Sequence, residues 1–343
     1  AQQVFEHAGK QVLQYAQTEG YLPLRQFISQ RYKKLYDLEI PVDEILITSG
    51  SQQALDFIAK TFLDPQDKVL IEEPSYLGAI QTFNSYEADF LTVELHEDGI
   101  DLVSLRRKLI QHQPKLIYVI PNYQNPSGVS YSQENRQGFA DIVSQFNVVV
   151  IEDDPYGELN FTERTRTPLK ALLPDQVCLL GSFSKTISPG LRLGWVCAPK
   201  AIHQKLFTAK EASDLHSSAF DQQLIHQDLI DNDYDAHIAT IKTLYAKKKT
   251  TMIEAIETHF PKSVKVMPCE GGMFLWVVLP KGLSSLDLFY EAVQAKVVFV
   301  PGDPFYVHRE NVNAFRLNFS NASEADITEG IRRLAKVIEN HLT

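Results

Sequence analysis

Val148-Val149-Val150-Ile151-Glu152-Asp153-Asp154-Pro155-Tyr156 decides the fold: four β-branched apolar residues in a row run into three carboxylates and a proline turn. A strand with one solvated face alternates apolar and polar residues. A run without alternation suits a strand covered by helices on both faces, as in parallel sheets. Further strands are expected at Ile45 to Thr48, Lys68 to Glu72, Lys115 to Ile120, Gln176 to Leu180 and Leu193 to Cys197. Between them, Gln53 to Leu63 sets Ala54, Leu55, Ile58, Ala59 and Phe62 on one helical stripe, and Ser104 to Gln111 is similarly amphipathic. Strands alternating with helices predict an α/β protein with a mostly parallel central sheet flanked by helices.

From about Ala201 the chain turns to long polar helices, one expected over Asp235 to His259, with strands near Gly272 to Val278 and Ala314 to Phe319. A boundary is therefore expected near residue 230, giving a large domain over 1–230 and a smaller α+β domain over 231–343. A length of 343 residues suits two domains, and 44% hydrophobic with 22% charged residues is the balance of a globular protein. With 33 basic against 43 acidic residues the net charge is −10, which repels nucleic-acid backbones and anionic membranes. Neither partner is expected. Cys178, Cys197 and Cys269 are too scattered for a disulfide framework or a zinc site, and the apolar runs are too short to span a bilayer. The amino end shows no charged-then-apolar leader pattern, so a cytoplasmic protein is expected.

Ligands of open parallel sheets collect beyond the carboxyl ends of the strands, and here those positions are polar. Ser49-Gly50-Ser51-Gln52 follows one strand and opens a helix, a layout that fits either an ordinary N-cap or an anion site. Pro121-Asn122-Tyr123-Gln124-Asn125-Pro126-Ser127-Gly128 is a turn that presents an amide at Asn125. Asp153 and Tyr156 bring a carboxylate and a phenol to the same edge. The most informative segment is Gly181-Ser182-Phe183-Ser184-Lys185-Thr186-Ile187-Ser188-Pro189-Gly190-Leu191-Arg192-Leu193-Gly194. A lone lysine is normally solvated, but Lys185 follows a buried strand and precedes Arg192. A desolvated amine beside a second cation has a lowered pKa and becomes a nucleophile toward carbonyls. Ser182-x-x-Lys185 also matches the tetrad of penicillin-recognising acyl transferases, whose companion motifs are missing. Neither a Gly-x-Gly-x-x-Gly nor a Walker loop occurs, nor any tight His/carboxylate cluster that would suggest a metal.

Taken together, the Asn-Pro-Ser-Gly loop, Asp153 to Tyr156, and Ser182 to Arg192 resemble the pyridoxal-phosphate aminotransferases of fold type I. The likeness extends to Leu13-Gln14-Tyr15, Gly50 to Asp56, Gly271 to Phe274 and Arg316-Leu317-Asn318-Phe319-Ser320. Within that fold the chain is most similar to the 2-aminoadipate and kynurenine aminotransferase group. The resemblance implies pyridoxal 5′-phosphate attached to Lys185, which also moves the proton at the substrate Cα. It implies Asp153 on the pyridine nitrogen, Tyr156 and Asn125 on the phenolic oxygen, and Tyr76 stacked on the ring. The phosphate falls to Ser51, Gln52, Ser182, Ser184 and Arg192. The substrate α-carboxylate falls to Arg316 with Asn125.

Tyr15 matches a tyrosine that reaches the phosphate of a neighbouring subunit, so a homodimer with shared sites is implied. The family carries an arm ahead of the Tyr15 segment, and the sequence opens at Ala1. The activity implied is ping-pong transamination of an α-amino acid through pyridoxamine phosphate, with 2-oxoglutarate as acceptor and 2-aminoadipate, kynurenine or aromatic donors. Two alternatives are the aminotransferase-like effector-sensing domain of a helix-turn-helix regulator and a lyase or decarboxylase on the same scaffold.

Overall fold

The apolar runs become the strands of one eight-stranded sheet in the computed structural model, which describes residues 1–162 and 165–342. In chain order these are β1 (Ile45–Thr48), β2 (Lys68–Glu73), β3 (Asp89–His96), β4 (Gly99–Ile100), β5 (Leu116–Val119), β6 (Val149–Asp153), β7 (Val177–Ser182) and β8 (Gly194–Cys197). Across the sheet they lie β1-β8-β7-β6-β5-β2-β3-β4. The five strands from β7 to β3 are mutually parallel, whereas β8 runs antiparallel to both neighbours and β4 antiparallel to β3.

The unbroken apolar pattern has the consequence expected of it. Ile45, Ile47, Ile117 and Val119 pack into one core, while Leu46, Leu116, Tyr118 and Ile120 pack into the core on the opposite face. Helix Ser51–Phe62 starts two residues before the stretch Gln53 to Leu63 read from sequence and ends one short of it, and Leu102–His112 extends the stretch Ser104 to Gln111 at both ends. Strand β3 was not anticipated. Its burial is irregular, with Phe90, Val93 and Leu95 buried, and Thr92, Glu94 and the exposed ends Asp89 and His96 break up its apolar run.

A second, antiparallel sheet follows, from β9 (Lys265–Val266), β10 (Phe274–Val278), β11 (Val300–Pro301) and β12 (Ala314–Asn318), in the order β11-β12-β10-β9. Its apolar face packs on helices Tyr234–His259, Ser285–Gln294 and Glu324–Asn340 in a separate core that includes Met252, Leu275, Phe315 and Ile338. Among the described residues no helix is long and apolar enough to cross a membrane.

Candidate active site

One edge of the large sheet gathers the carboxyl ends of β1, β6 and β7 with the start of antiparallel β8. Thr48 and Ser182 both face Gly194 in register. The side chains expected there line a single cavity of about 370 Å³, Tyr15 excepted.

At its anion-accepting end, Gly50 has φ 83° and the helix Ser51–Phe62 starts without a side-chain cap or an acidic residue in its first turn. A Cβ on Gly50 would lie 2.7 Å from Arg192 Nη2, so the glycine admits the guanidinium over the helix start. Arg192, itself at φ 52°, donates to Ser49 O at 3.4 Å. Uncapped N–H groups, the positive dipole end and a guanidinium converge with Ser182 and Ser184, which suits a phosphate. Ser182 Oγ accepts from Ser184 N at 3.1 Å, which fixes the turn ahead of Lys185. Gln52 ties this helix to the next: its Nε2 donates to Gly78 O at 3.0 Å and to Thr82 Oγ1 at 2.6 Å. That second helix, Leu77–Asn84, begins directly after Tyr76, whose ring needs the space a Cβ on Gly78 would take.

At the other end, Asp153 is 2% exposed. Its Oδ2 accepts from Tyr118 Oη at 2.8 Å, and its Oδ1 has no partner. Burial raises the Asp153 pKa to about 7, against the pull of the Tyr118 hydroxyl. A protonated ring nitrogen would satisfy that oxygen. Half-buried Lys185 faces the same space. Burial holds its pKa below the usual lysine range, Arg316 and Arg192 push it further down, and Asp153 opposes them. An amine so placed is a nucleophile and a proton carrier.

The small sheet closes the cavity. Arg316 Nη1 donates to Asn125 Oδ1 at 2.6 Å, its guanidinium carbon lies 4.2 Å from the Phe274 ring centroid, and its buried Nε has no partner. A fork with free donors above an aromatic face suits a carboxylate. Tyr156, edge-on to Phe274, is buried, and its pKa is raised by that burial and then by the charge of Asp153. Asn125 sits on a loop stapled by fully buried Glu72. That carboxylate accepts from Ile120 N at 3.2 Å, Gln124 Nε2 at 2.9 Å and Tyr131 Oη at 2.7 Å.

Tyr15 lies apart, 84% exposed and edge-on to His216 at 5.9 Å. Phe274 and Asn318 also line the cavity and were not singled out from sequence. Asn318 was findable, because it lies two along β12 from Arg316 and so shares its face. Phe274 pairs with Asn318 in register, which only the folded sheet reveals.

Comparison with known proteins places the whole chain in a family. The family description "Aminotransferase class I and II" matches residues 1–334. The chain is 37% identical to aromatic-amino-acid aminotransferase 1 of Thermococcus litoralis over 99% of its length and 83% of that protein. It is 39% identical to 2-aminoadipate transaminase of Thermus thermophilus over 100% of its length and 85% of that protein. Among solved structures, the kynurenine aminotransferase of Pyrococcus horikoshii in complex with PMP superposes with a TM-score of 0.95. It is 38% identical, with 99% of this chain and 86% of that one covered. The fold is therefore that of the fold type I enzymes, and an enzyme is favoured over an effector-sensing domain. The chain belongs to the class I and II aminotransferases and is a pyridoxal 5′-phosphate-dependent enzyme acting on small amino and oxo acids.

Proposed function

We propose that the protein transfers the α-amino group of a long acidic or aromatic amino acid, of the 2-aminoadipate, kynurenine or phenylalanine type, to 2-oxoglutarate. The observation that carries the residue assignment is the unpartnered Oδ1 of Asp153 in the cavity that also holds Lys185. When bound, the cofactor supplies a ring that accepts the electrons left at Cα after proton loss. Asp153 holds the proton on the ring nitrogen, and a carboxylate is the group for that task. Lys185 anchors the cofactor and, as free amine, moves the proton at the substrate Cα. Tyr156 and Asn125 hold the phenolic oxygen, and Tyr76 packs on the ring face. Ser51, Gln52, Ser182, Ser184 and Arg192 hold the phosphate. Arg316, oriented by Asn125, clamps the α-carboxylate.

The donor class rests on the named activities of the relatives at 37% and 39% identity. The protein is further proposed to work as a homodimer in the cytoplasm, with Tyr15 reaching the partner's phosphate. Its high exposure and distance from the cavity of its own chain support this. A cofactor-holding domain over 1–230 and a smaller domain over 231–343 are supported by the separate core around the second sheet. The test is a donor panel of 2-aminoadipate, kynurenine, phenylalanine and glutamate with 2-oxoglutarate, products identified by mass spectrometry and subunit number by sedimentation. Decarboxylated or eliminated products in place of oxo acids contradict the proposal, as does a monomer with full activity.

A further inference from the structure

Asp153 uses its two oxygens differently, and the cause lies one strand away. Tyr118 sits on β5, fully buried, its ring edge-on to Phe83 at 5.9 Å. Pairing of β5 with β6 sets Tyr118 opposite Ile151, and Asp153, two residues further, shares the face of Ile151. The Tyr118 hydroxyl thus meets Asp153 Oδ2 at 2.8 Å from behind, and Tyr118 is not among the residues that line the cavity.

We propose that Tyr118 is a positioning residue for Asp153: its hydroxyl occupies one carboxylate oxygen, so that the other alone is presented to the cofactor's ring nitrogen. The inference rests on the assignment of Asp153 to that nitrogen. Burial, then the charge of Asp153, pushes the phenol well above its ordinary pKa, so at working pH it is always a donor. As donor it stabilises the ionised carboxylate against the burial that opposes it. The other groups facing Asp153 are Lys185, which favours ionisation, Asp154 beside it on β6, Glu72 on β2, and the phenols Tyr76 and Tyr156. Of all these, only Tyr118 is hydrogen-bonded to it.

The test uses Tyr118→Phe, Asp153→Asn and the double variant. In the apo protein, the Asp153 carboxyl is followed by infrared difference against Asp153→Asn while pH is varied. Loss of a hydrogen bond to a charged group corresponds to about a tenfold or larger rise in proton affinity, so the Tyr118→Phe midpoint moves up by about one pH unit or more. Affinity for pyridoxal phosphate, by equilibrium dialysis, is expected to fall about tenfold in Tyr118→Phe. The double variant is expected to bind no more weakly than Asp153→Asn alone, because the phenol acts only through the carboxylate. An unmoved midpoint in folded Tyr118→Phe, or additive losses in the double variant, overturns the role of Tyr118. An Asp153→Asn variant that binds the cofactor as well as wild type overturns the assignment beneath it as well.

Discussion

Gly194→Ala tests whether the cradle at the sheet edge is set by backbone packing. A Cβ there would lie 2.7 Å from Gly181 O and 2.9 Å from both Gly50 C and Ser51 N. All three are main-chain atoms, so no rotamer relieves the contact. To reach the 3.4 Å of ordinary contact, the Gly50–Ser51 backbone must retreat by about half an ångström. Overpacking of this kind costs about 1–3 kcal/mol of stability. The Ser51 N–H also shifts relative to Ser182 and Arg192. Losing one hydrogen bond to an anion is worth about 1.5–3 kcal/mol, or roughly 10- to 150-fold in cofactor affinity. The assay is titration of the apo variant with pyridoxal phosphate, beside its thermal unfolding. Gly330→Ala is the control: it sits in the helix Glu324–Asn340 with nothing within 4 Å of a Cβ, and should be neutral or stabilising. A folded Gly194→Ala protein that binds the cofactor with wild-type affinity would refute the placement of the phosphate at Ser51.

Two further outcomes follow from the same geometry. Arg316→Lys keeps the charge but loses the fork. KM for the amino donor should rise about a hundredfold while cofactor affinity stays unchanged, and steady-state kinetics with cofactor titration check this. Fully buried Glu72, Glu152 and Asp153 each have their pKa raised to about 7, mainly by burial. Their folded forms bind protons more tightly than the unfolded chain, so this stability is complete below the unfolded carboxylate pKa and is lost as pH rises toward 7. His203 and His226, lowered by burial, act in the opposite sense but are fewer. The thermal midpoint of the apo protein should therefore fall between about pH 5 and about pH 8, and a midpoint that rises over this range contradicts the burial of these carboxylates.

Much of the site was legible because its residues sit directly after strands that are themselves legible. Val148 to Ile151 announces a two-sided strand, and the polar residues behind it must lie at a sheet edge. Lys185 stood out through its neighbours Ser182, Ser184 and Arg192. What sequence hid were partners supplied by strand pairing. Tyr118 sits inside Lys115 to Ile120 and reads as core, and only the β5–β6 register brings its hydroxyl to Asp153. Glu72 reads as the polar end of a strand, yet it is fully buried and holds the Asn125 loop at three points. Strand β3 escaped because Thr92 and Glu94 break its apolar run, as suits a strand near the sheet margin.

The central claim is that Lys185 holds the cofactor in a cavity where amino and oxo acids exchange an amino group. The most direct test is the visible and near-ultraviolet spectrum of the protein with pyridoxal phosphate, recorded before and after 2-aminoadipate and again after 2-oxoglutarate. A protein-bound band that vanishes with the amino acid, returns with the oxo acid and is absent from Lys185→Ala is the predicted result. A band that persists unchanged in Lys185→Ala, or that no amino donor alters, would contradict it.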